Sequence, residues 1–182
     1  EQVAGGVSAV EGARVAVAVA EDQAAGAVRV AQVEVGVAQQ LLDLGQDVAA
    51  TVWRAGLQLP GRAVTASKLH LTLAFLGQVP LPRVTAAQAL AANLNAAAFE
   101  LRLDRLGRFA NGLLYLAPSQ PPDALLELAG NLQTGLREAG FNLQDRPFHA
   151  HLSLMRRCPG LPADVTPSFD WPVDHFALFA SE

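Results

Sequence analysis

One short pattern of residues occurs twice in this chain of 182 residues. The first copy is His70-Leu71-Thr72-Leu73 and the second is His151-Leu152-Ser153-Leu154, so each copy is histidine, leucine, hydroxyl residue, leucine. On an extended strand alternate side chains share a face, so the histidine and the hydroxyl point one way and the leucines, with Phe75 in the first copy, point into the core. Two such strands facing each other would enclose one small anionic group.

These residue types suit the cleavage of a phosphodiester. One group must remove a proton from the attacking oxygen and another must donate a proton to the departing one. Imidazole, with a pKa of about 6.5, does both near neutral pH, and each transfer is worth about 10²–10⁴-fold in rate. The hydroxyls of Thr72 and Ser153 can donate to the non-bridging oxygens. This scheme needs no metal and no other cofactor, and none is predicted. A single strand histidine is more often a surface or core residue, and the repetition is what favours catalysis.

The elements that must position the two copies follow from the apolar periodicity. Helical spacing predicts helices over about 37–50, from Pro82 to residue 98, and over 122–140, where Gly140 is the expected C-cap. Strands are predicted at 69–76, 99–103, 112–117, 148–155 and 176–179. This order favours an α+β architecture with mostly antiparallel sheets over an alternating parallel one.

Residues 1–36 are built largely of Ala, Val, Gly, Gln and Glu. Two runs of valine, at 15–19 and 28–37, alternate with period two, which is typical of half-buried strands. A poorly ordered lead-in is the alternative, since alanine contributes little burial to offset the entropy of ordering. We therefore expect an atypical low-complexity segment over 1–36 and a single domain over 37–182.

Composition restricts the class of protein. With 51% apolar and 16% charged residues, the chain fits one soluble globular domain, and no run of about 18 apolar residues predicts a membrane span. A net charge of −4 gives no global attraction for long nucleic acid, so an RNA partner must be bound locally. One cysteine, Cys158, suits the cytoplasm, and no secretion signal is visible. Since the chain begins at Glu1 and its only methionine is Met155, we expect a processed or replaced N-terminus.

The two copies and their surroundings resemble a known family. Residues 70–77 (HLTLAFLG) and 146–156 (RPFHAHLSLMR) resemble the two signatures of the 2H phosphoesterase superfamily, and within it the RNA 2′,3′-cyclic phosphodiesterases, historically called 2′-5′ RNA ligases. The resemblance covers about residues 37–180. It implies a bilobal, pseudo-symmetric α+β fold with two mostly antiparallel sheets, helices on the outside and a central cleft.

The resemblance also implies an activity and a site. The family hydrolyses 2′,3′-cyclic phosphates at RNA ends to 2′-phosphates. By match of position, His70 and His151 are the acid and base, in an order left undecided, and Thr72 and Ser153 are phosphate ligands. Arg156 matches an arginine that contacts phosphate or base. Strict alternation would turn Arg156 away from His151, so the strand must end or bend before it.

Two other functions stay open at this point. One is joining or reversal at 2′-5′ linkages, and the other is an RNA-end or nucleotide-binding protein with impaired turnover. The expected partners are RNA 2′,3′-cyclic phosphate termini or small cyclic nucleotides, with no membrane and no protein partner, and a monomer is expected. Three departures from the family are expected to matter: a first strand without aromatic residues, Ala150 in place of proline, and a missing last strand.

Several further residues have two interpretations each. His149 and His151 share a strand face at a spacing that can hold a metal, but a surface or supporting role for His149 is preferred because no third ligand is near in sequence. His175 is expected at the surface. Phe148 either stacks on a base or belongs to the core, and the core is preferred. Four basic residues either attract RNA phosphates or are solvated surface charges: Arg62, Lys68, Arg146 and Arg157.

Overall fold

A computed structural model of the chain describes residues 14–18, 30–38, 58–65, 69–163 and 165–181. The elements within these ranges follow in chain order. They are β1 (Arg14–Ala18), β2 (Val30–Ala38), β3 (Arg62–Ala63), β4 (His70–Pro80), α1 (Leu81–Ala92), β5 (Phe99–Leu103), β6 (Arg105–Arg108), β7 (Leu114–Ala117), α2 (Asp123–Glu138), β8 (Leu152–Arg156), β9 (Phe169–Val173) and β10 (His175–Ser181).

Most strands form one sheet in the order β1-β10-β2-β4-β8-β7-β6, with β3 attached to β8, while β5 and β9 form a second, two-stranded sheet. All pairs are antiparallel except β1 with β10. The predicted α+β architecture with mostly antiparallel sheets is confirmed. The main sheet consists of two halves, because β4 and β8 are paired only through Leu71 and Leu152.

Beyond that single pair the two central strands separate, and other groups take up the freed backbone positions. On β4, the carbonyl oxygen of Leu73 accepts a hydrogen bond from Nε2 of Gln133 in α2, at 2.9 Å. On β8, the carbonyl oxygen of Leu154 accepts one from the backbone N–H of Val64, at 2.9 Å, next to the short strand β3. Because buried backbone groups need partners, these hydrogen bonds let the sheet open at its centre at little cost.

The two central strands repeat each other down to their irregularities. In β4, Leu73 has no opposite residue in β2, and in β8, Leu154 has no opposite residue in β7. Each leucine is thus the extra residue of a β-bulge. Residues 70–74 and 151–155 have the same burial pattern: half-buried, buried, half-buried, buried, buried. An extra residue in a strand shifts the phase of its side chains. The residues that follow, Phe75 and Arg156, therefore leave the leucine face and join the histidine face of their strands.

This phase shift overturns one prediction. Phe75 was expected to share the core face with Leu71 and Leu73, which are buried, but it is only half-buried and does not belong to the apolar core cluster. By contrast Phe148 is half-buried and packs against that cluster, which agrees with the preferred core interpretation.

The helices begin and end for identifiable reasons. In α2 the buried face is Leu125, Leu128, Ala129, Leu132 and Leu136. The predicted end at Gly140 is confirmed: this glycine has a φ of 76°, and the N–H groups of Gly140 and Phe141 donate to the carbonyls of Arg137 and Leu136, the Schellman arrangement.

Helix α1 is shorter than predicted. It ends at Ala92 and not at residue 98, because Asn93 closes it with Nδ2 donating to the carbonyl of Ala89 at 2.8 Å. The predicted helix at about 37–50 lies mostly outside the described residues, and its first two positions belong to β2.

Other element predictions need correction. The predicted strand 148–155 begins only at Leu152, and strands β3, β6 and β9 were not predicted. Strands β6 and β9 contain arginines, a glycine, an aspartate and a proline. These residues interrupt the apolar alternation by which a strand is predicted, but they are tolerated at sheet edges. The valine runs of the N-terminal segment fall in β1 and β2. The expectation of a missing last strand is wrong, because β10 follows the Trp-Pro segment of β9 and pairs with β1 and β2. None of the described helices is long and apolar enough to cross a membrane.

Candidate active site

The two repeated tetrapeptides meet where the halves of the sheet join. Leu71 and Leu152 are opposite each other across β4 and β8. Because the strands are antiparallel, His70 and Ser153 lie on one side of this pair, and Thr72 and His151 lie on the other. The two imidazoles and the two hydroxyls therefore form one patch on the face away from the leucines, and all four residues are half-buried.

Within this patch the histidines are diagonal neighbours. His70 and His151 each directly precede one member of the Leu71–Leu152 pair, so in the antiparallel arrangement they lie on its two sides. The two histidines are also close enough to interact electrostatically, since a charge on His70 lowers the pKa of His151. The repeat therefore supplies adjacent groups on neighbouring strands, near enough to contact one phosphate from two sides.

The ring of His151 has a fixed tautomer. Its Nδ1 lies 2.7 Å from the backbone carbonyl oxygen of His149. Since a carbonyl oxygen only accepts, Nδ1 carries the proton and donates, which leaves Nε2 with its lone pair in the neutral ring. A histidine held this way is oriented for proton abstraction through Nε2.

The surroundings of His151 favour that neutral form. Burial lowers its pKa below the ordinary value of 6.5, and the positive charges of His149, Arg146 and His70 act in the same direction. The hydrogen bond to the carbonyl of His149 raises the pKa, but does not reverse the shift. His151 is therefore neutral near pH 7.

Four rings pack together around this histidine: Phe109, Tyr115, His149 and His151. The centroids of Phe109 and Tyr115 are 4.3 Å apart, and His151 lies edge-on to both, at 5.1 Å from Phe109 and 5.5 Å from Tyr115. His149 stacks on His151 at 5.7 Å with an angle of 29°. Because each ring restricts its neighbours, this four-ring cluster holds the imidazole of His151 in one rotation.

The sequence interpretation missed this cluster. A surface or supporting role was expected for His149, and the structure shows both: the residue is exposed, and its ring and its carbonyl contact His151. Its own pKa is lowered by partial burial and by the charge of Arg105. The available signal was Tyr115, which alternates with Leu114 and Leu116 and so must face the side opposite those buried leucines.

A glycine makes room for the cluster. Gly107 in β6 is opposite Tyr115 in β7, and a Cβ at this position would overlap ring atoms of Tyr115. Only glycine lets the phenol ring lie across the neighbouring strand here. The site is thus supported from β6 as well as from β7 and β8.

Arg156 is the last residue of β8 and follows a register shift in that strand. The register shift at Leu154 buries both Leu154 and Met155 and turns Arg156 to the face of Ser153, where it is exposed. Directly opposite it in β3 is Arg62, which is also exposed. The predicted bend in the strand is therefore observed before Arg156.

The remaining candidate residues have different positions. Arg146 and Arg157 are exposed, and Arg157 has a left-handed backbone with a φ of 58°, while Lys68 lies outside the described residues. The surface prediction for His175 is wrong: it is 9% exposed, and its Nδ1 lies 2.6 Å from Oδ1 of Asp174. Among the described residues no group of three or more His, Cys, Asp or Glu side chains could hold a metal ion.

The chemistry of the patch is that of an anion site with proton-transfer groups. Two hydroxyls and a guanidinium donate hydrogen bonds to an anion, and two imidazoles accept or donate protons. A phosphate ester uses all of these groups at once. No cofactor is needed for the proton transfers themselves.

Comparison with known proteins agrees with this chemistry. A family model described as "2'-5' RNA ligase superfamily" matches residues 44–182. The chain is 37% identical over 134 residues to an RNA 2′,3′-cyclic phosphodiesterase of Escherichia coli strain K12, and the match covers 71% of this chain and 76% of that protein. It is 35% identical over 136 residues to an RNA 2′,3′-cyclic phosphodiesterase of Thermus thermophilus, covering 66% and 67%.

Solved structures resemble the fold as well. The crystal structure of E. coli LigT complexed with 3′-AMP has a TM-score of 0.77 and 31% identity, and the match covers 85% of this chain and 90% of that one. The crystal structure of TT0787 of Thermus thermophilus has a TM-score of 0.67 and 27% identity, covering 81% and 86%.

Proposed function

The chain belongs to the 2′-5′ RNA ligase superfamily, and we propose that it is a metal-independent phosphodiesterase that hydrolyses 2′,3′-cyclic phosphate ends of RNA to 2′-phosphates. The single observation that carries this proposal is the pairing of Leu71 with Leu152, which brings His70 and His151, each followed two positions later by a hydroxyl residue, onto neighbouring strands. The relatives named above support the substrate.

We assign one proton transfer to each histidine. Nε2 of His151 takes a proton from water as the water oxygen bonds to phosphorus. The bond between phosphorus and O3′ breaks, and His70 donates the proton that O3′ receives. The products are a 2′-phosphate monoester and a free 3′-hydroxyl. Return of one proton from His151 to His70 through solvent restores the starting state.

His151 is the base because its tautomer and its lowered pKa leave Nε2 free to accept. The non-bridging oxygens gain negative charge as water attacks, and the hydroxyls of Thr72 and Ser153 donate hydrogen bonds to them. Arg156, on the same face as Ser153, adds a positive charge at the edge of the phosphate. The four-ring cluster keeps His151 oriented between turnovers.

The acidic limb of the pH profile follows from the shifted pKa of His151. The base must be neutral, and its pKa is lowered. We therefore expect kcat/KM to stay high as the pH falls to 6.5, and to decline only at lower pH, with a midpoint below 6.5. The charged groups that act on this ring are His149, Arg146 and His70, and the ring of Tyr115 packs against it. The measurement is kcat/KM against pH.

His149→Phe provides the matched variant, since it keeps a ring in the cluster and the backbone carbonyl at 149 but removes a positive charge. Its acidic midpoint is expected to move upward, towards the ordinary value. A midpoint above 6.5 in the unmodified protein would contradict the role of His151 as the base.

The experiment that tests the proposed function uses a short RNA with a 2′,3′-cyclic phosphate end, incubated with the protein and a chelator. The expected product is the 2′-phosphate. A 2′-5′-linked dinucleotide and a pair of RNA ends are supplied in parallel, since joining or reversal at 2′-5′ linkages would appear there. Tight binding of the 2′-phosphate without turnover would instead indicate an impaired RNA-end-binding protein.

Two broader properties belong to the same proposal. The single cysteine, Cys158, is buried and fits a reducing compartment, so we place the enzyme in the cytoplasm. The site uses residues of one chain, and we expect a monomer.

A further inference from the structure

A glutamine of α2 reaches the centre of the main sheet. Gln133 is half-buried, and its Nε2 donates a hydrogen bond to the carbonyl oxygen of Leu73 in β4, at 2.9 Å. Helix α2 packs its leucines into the core cluster that contains the leucines of β4 and β8. The amide of Gln133 therefore reaches the strand backbone from the face opposite to the imidazoles.

Leu73 lies where the pairing of β4 is interrupted on both sides. It is the extra residue of the bulge in β4 and has no opposite residue in β2. On the other side, β4 and β8 are paired only through Leu71 and Leu152, the residue at which β8 begins. Because the ladder of hydrogen bonds that fixes a strand is interrupted here, the hydrogen bond from Gln133 holds the backbone of Leu73 in place.

The residue held in this way is next to the proposed site. Thr72 directly precedes Leu73, and it lies on the same side of the pair that joins β4 to β8 as His151. Residues 149–151 are not part of a strand, so no strand pairing among the described residues fixes the spacing between Thr72 and His151. This spacing depends on the four-ring cluster at one end and on the hydrogen bond from Gln133 at the other.

The opposite side of the same pair is held by a backbone group. There the carbonyl oxygen of Leu154 accepts a hydrogen bond from the N–H of Val64, at 2.9 Å. Any residue except proline supplies a backbone N–H, whereas few side chains could replace the amide of Gln133. The side of the site that contains Thr72 and His151 thus depends on one particular side chain.

We propose that Gln133 is a positioning residue for hydrolysis: by fixing the bulge of β4, it sets the spacing between Thr72 and His151. This inference rests on the proposed function, which needs both groups on one phosphate. A misplacement of about 1 Å, caused by a change far from the chemistry, can lower a rate by about 10²-fold. A hydrogen bond behind the sheet can therefore control turnover without touching the substrate.

Gln133→Met removes the donor and little else, because methionine keeps the length and the helix propensity of glutamine. We expect kcat for a 2′,3′-cyclic phosphate to fall by about 10–10²-fold. KM is expected to change much less, since the misplaced hydroxyl acts on charge that develops in the transition state. Gln133→Lys restores a donor on a chain of similar reach, and it is expected to recover most of kcat.

Arg83→Met is the matched control for a general loosening of α2. The guanidinium of Arg83 in α1 donates to the carbonyl oxygens of Ala139 and Gly140 at the end of α2, at 2.7 and 3.2 Å, and lies over the ring of Phe141. Its removal is expected to lower the thermal unfolding midpoint at least as much as Gln133→Met does. It is expected to leave kcat unchanged, because none of these contacts involves β4.

Crystal structures of the unmodified protein and of Gln133→Met provide a measure that does not depend on turnover. The distance between the Cα atoms of Thr72 and His151 is expected to differ by more than about 0.5 Å, the tolerance within which catalytic groups must be held. If Gln133→Met does not fold, Gln133→Ala takes its place, since alanine also lacks a donor and favours helix.

The kinetic and structural results decide the matter together. An unchanged kcat in Gln133→Met, an equal loss in Arg83→Met, or an unchanged distance between the two strands would overturn the inference. A loss of kcat that Gln133→Lys reverses, with a changed distance, supports it. If the unmodified protein did not hydrolyse cyclic phosphates, the proposed function would fail, and the two crystal structures would still decide whether Gln133 positions β4.

Discussion

Alanine in place of His151 is expected to lower kcat for hydrolysis of a 2′,3′-cyclic phosphate by about 10²–10⁴-fold, the usual contribution of one proton-transfer group. The physical reason is that water, unassisted, must then lose its proton to solvent while it attacks phosphorus. Alanine in place of His70 is expected to reduce kcat by a similar factor, since O3′ would then depart as an unprotonated alkoxide. The measurement is a single-turnover rate in chelator.

The two effects concern one chemical step, so they are not expected to multiply. A variant lacking both histidines is expected to be little slower than the worse single variant, as is typical of groups that act as a unit. Neither side chain belongs to the apolar core, so both variants are expected to fold, and the thermal unfolding midpoint is expected to fall more for the His151 variant, which removes a ring from the four-ring cluster. Activity that survived either substitution, or that required added metal, would contradict the proposed mechanism.

Removal of the hydroxyls is the second large effect. Ser153→Ala and Thr72→Val are each expected to lower kcat by about 10²–10³-fold, the cost of removing one donor to the charge that develops in the transition state. Because that charge is greater in the transition state than in the bound substrate, KM is expected to change much less. Steady-state kinetics on both variants separates the two parameters.

Conservative variants serve as the controls for the hydroxyls. Ser153→Thr and Thr72→Ser keep the donor and are expected to retain most of the activity. If Ser153→Ala raised KM and left kcat unchanged, the hydroxyl would bind the ground state and the transition state equally, and its role would be substrate binding alone.

The positions of these four residues could be predicted from the sequence because they depend only on local alternation. A histidine and a hydroxyl two residues apart share a face of any strand, and the leucines that alternate with them identify the other face as the core. The repetition of the same tetrapeptide then indicated two equivalent strands. The two strands are neighbours joined by a single residue pair. This pairing depends on tertiary structure and cannot be predicted from a local sequence pattern.

The bulges at Leu73 and Leu154 could not be predicted from local alternation. In each strand a leucine is followed by another apolar residue, Ala74 or Met155, and both are buried. Alternation cannot decide between two consecutive apolar residues, so the predicted face of Phe75 is wrong. For Arg156 the phase shift was required by its expected position, and the structure supplies the register that causes it.

The four-ring cluster was beyond the sequence for a different reason. Phe109, Tyr115 and His149 come from a turn, a strand and a loop, and only the pairing of β6, β7 and β8 brings them to His151. Helix α1 was predicted to be too long because further alanines follow Ala92, and alanine favours helix. Helix propensity does not include the hydrogen bond by which the side chain of Asn93 ends the helix.

The most direct measurement of the central claim uses a cyclic substrate in which sulfur replaces the bridging oxygen O3′. A thiolate departs without needing a proton, so a general acid is no longer required, whereas the attacking water still needs a base. With this substrate His70→Ala is expected to recover most of its rate, and His151→Ala is expected to stay slow. Equal recovery by both variants, or recovery by His151→Ala alone, would contradict an acid at His70 and a base at His151 acting on one phosphorus.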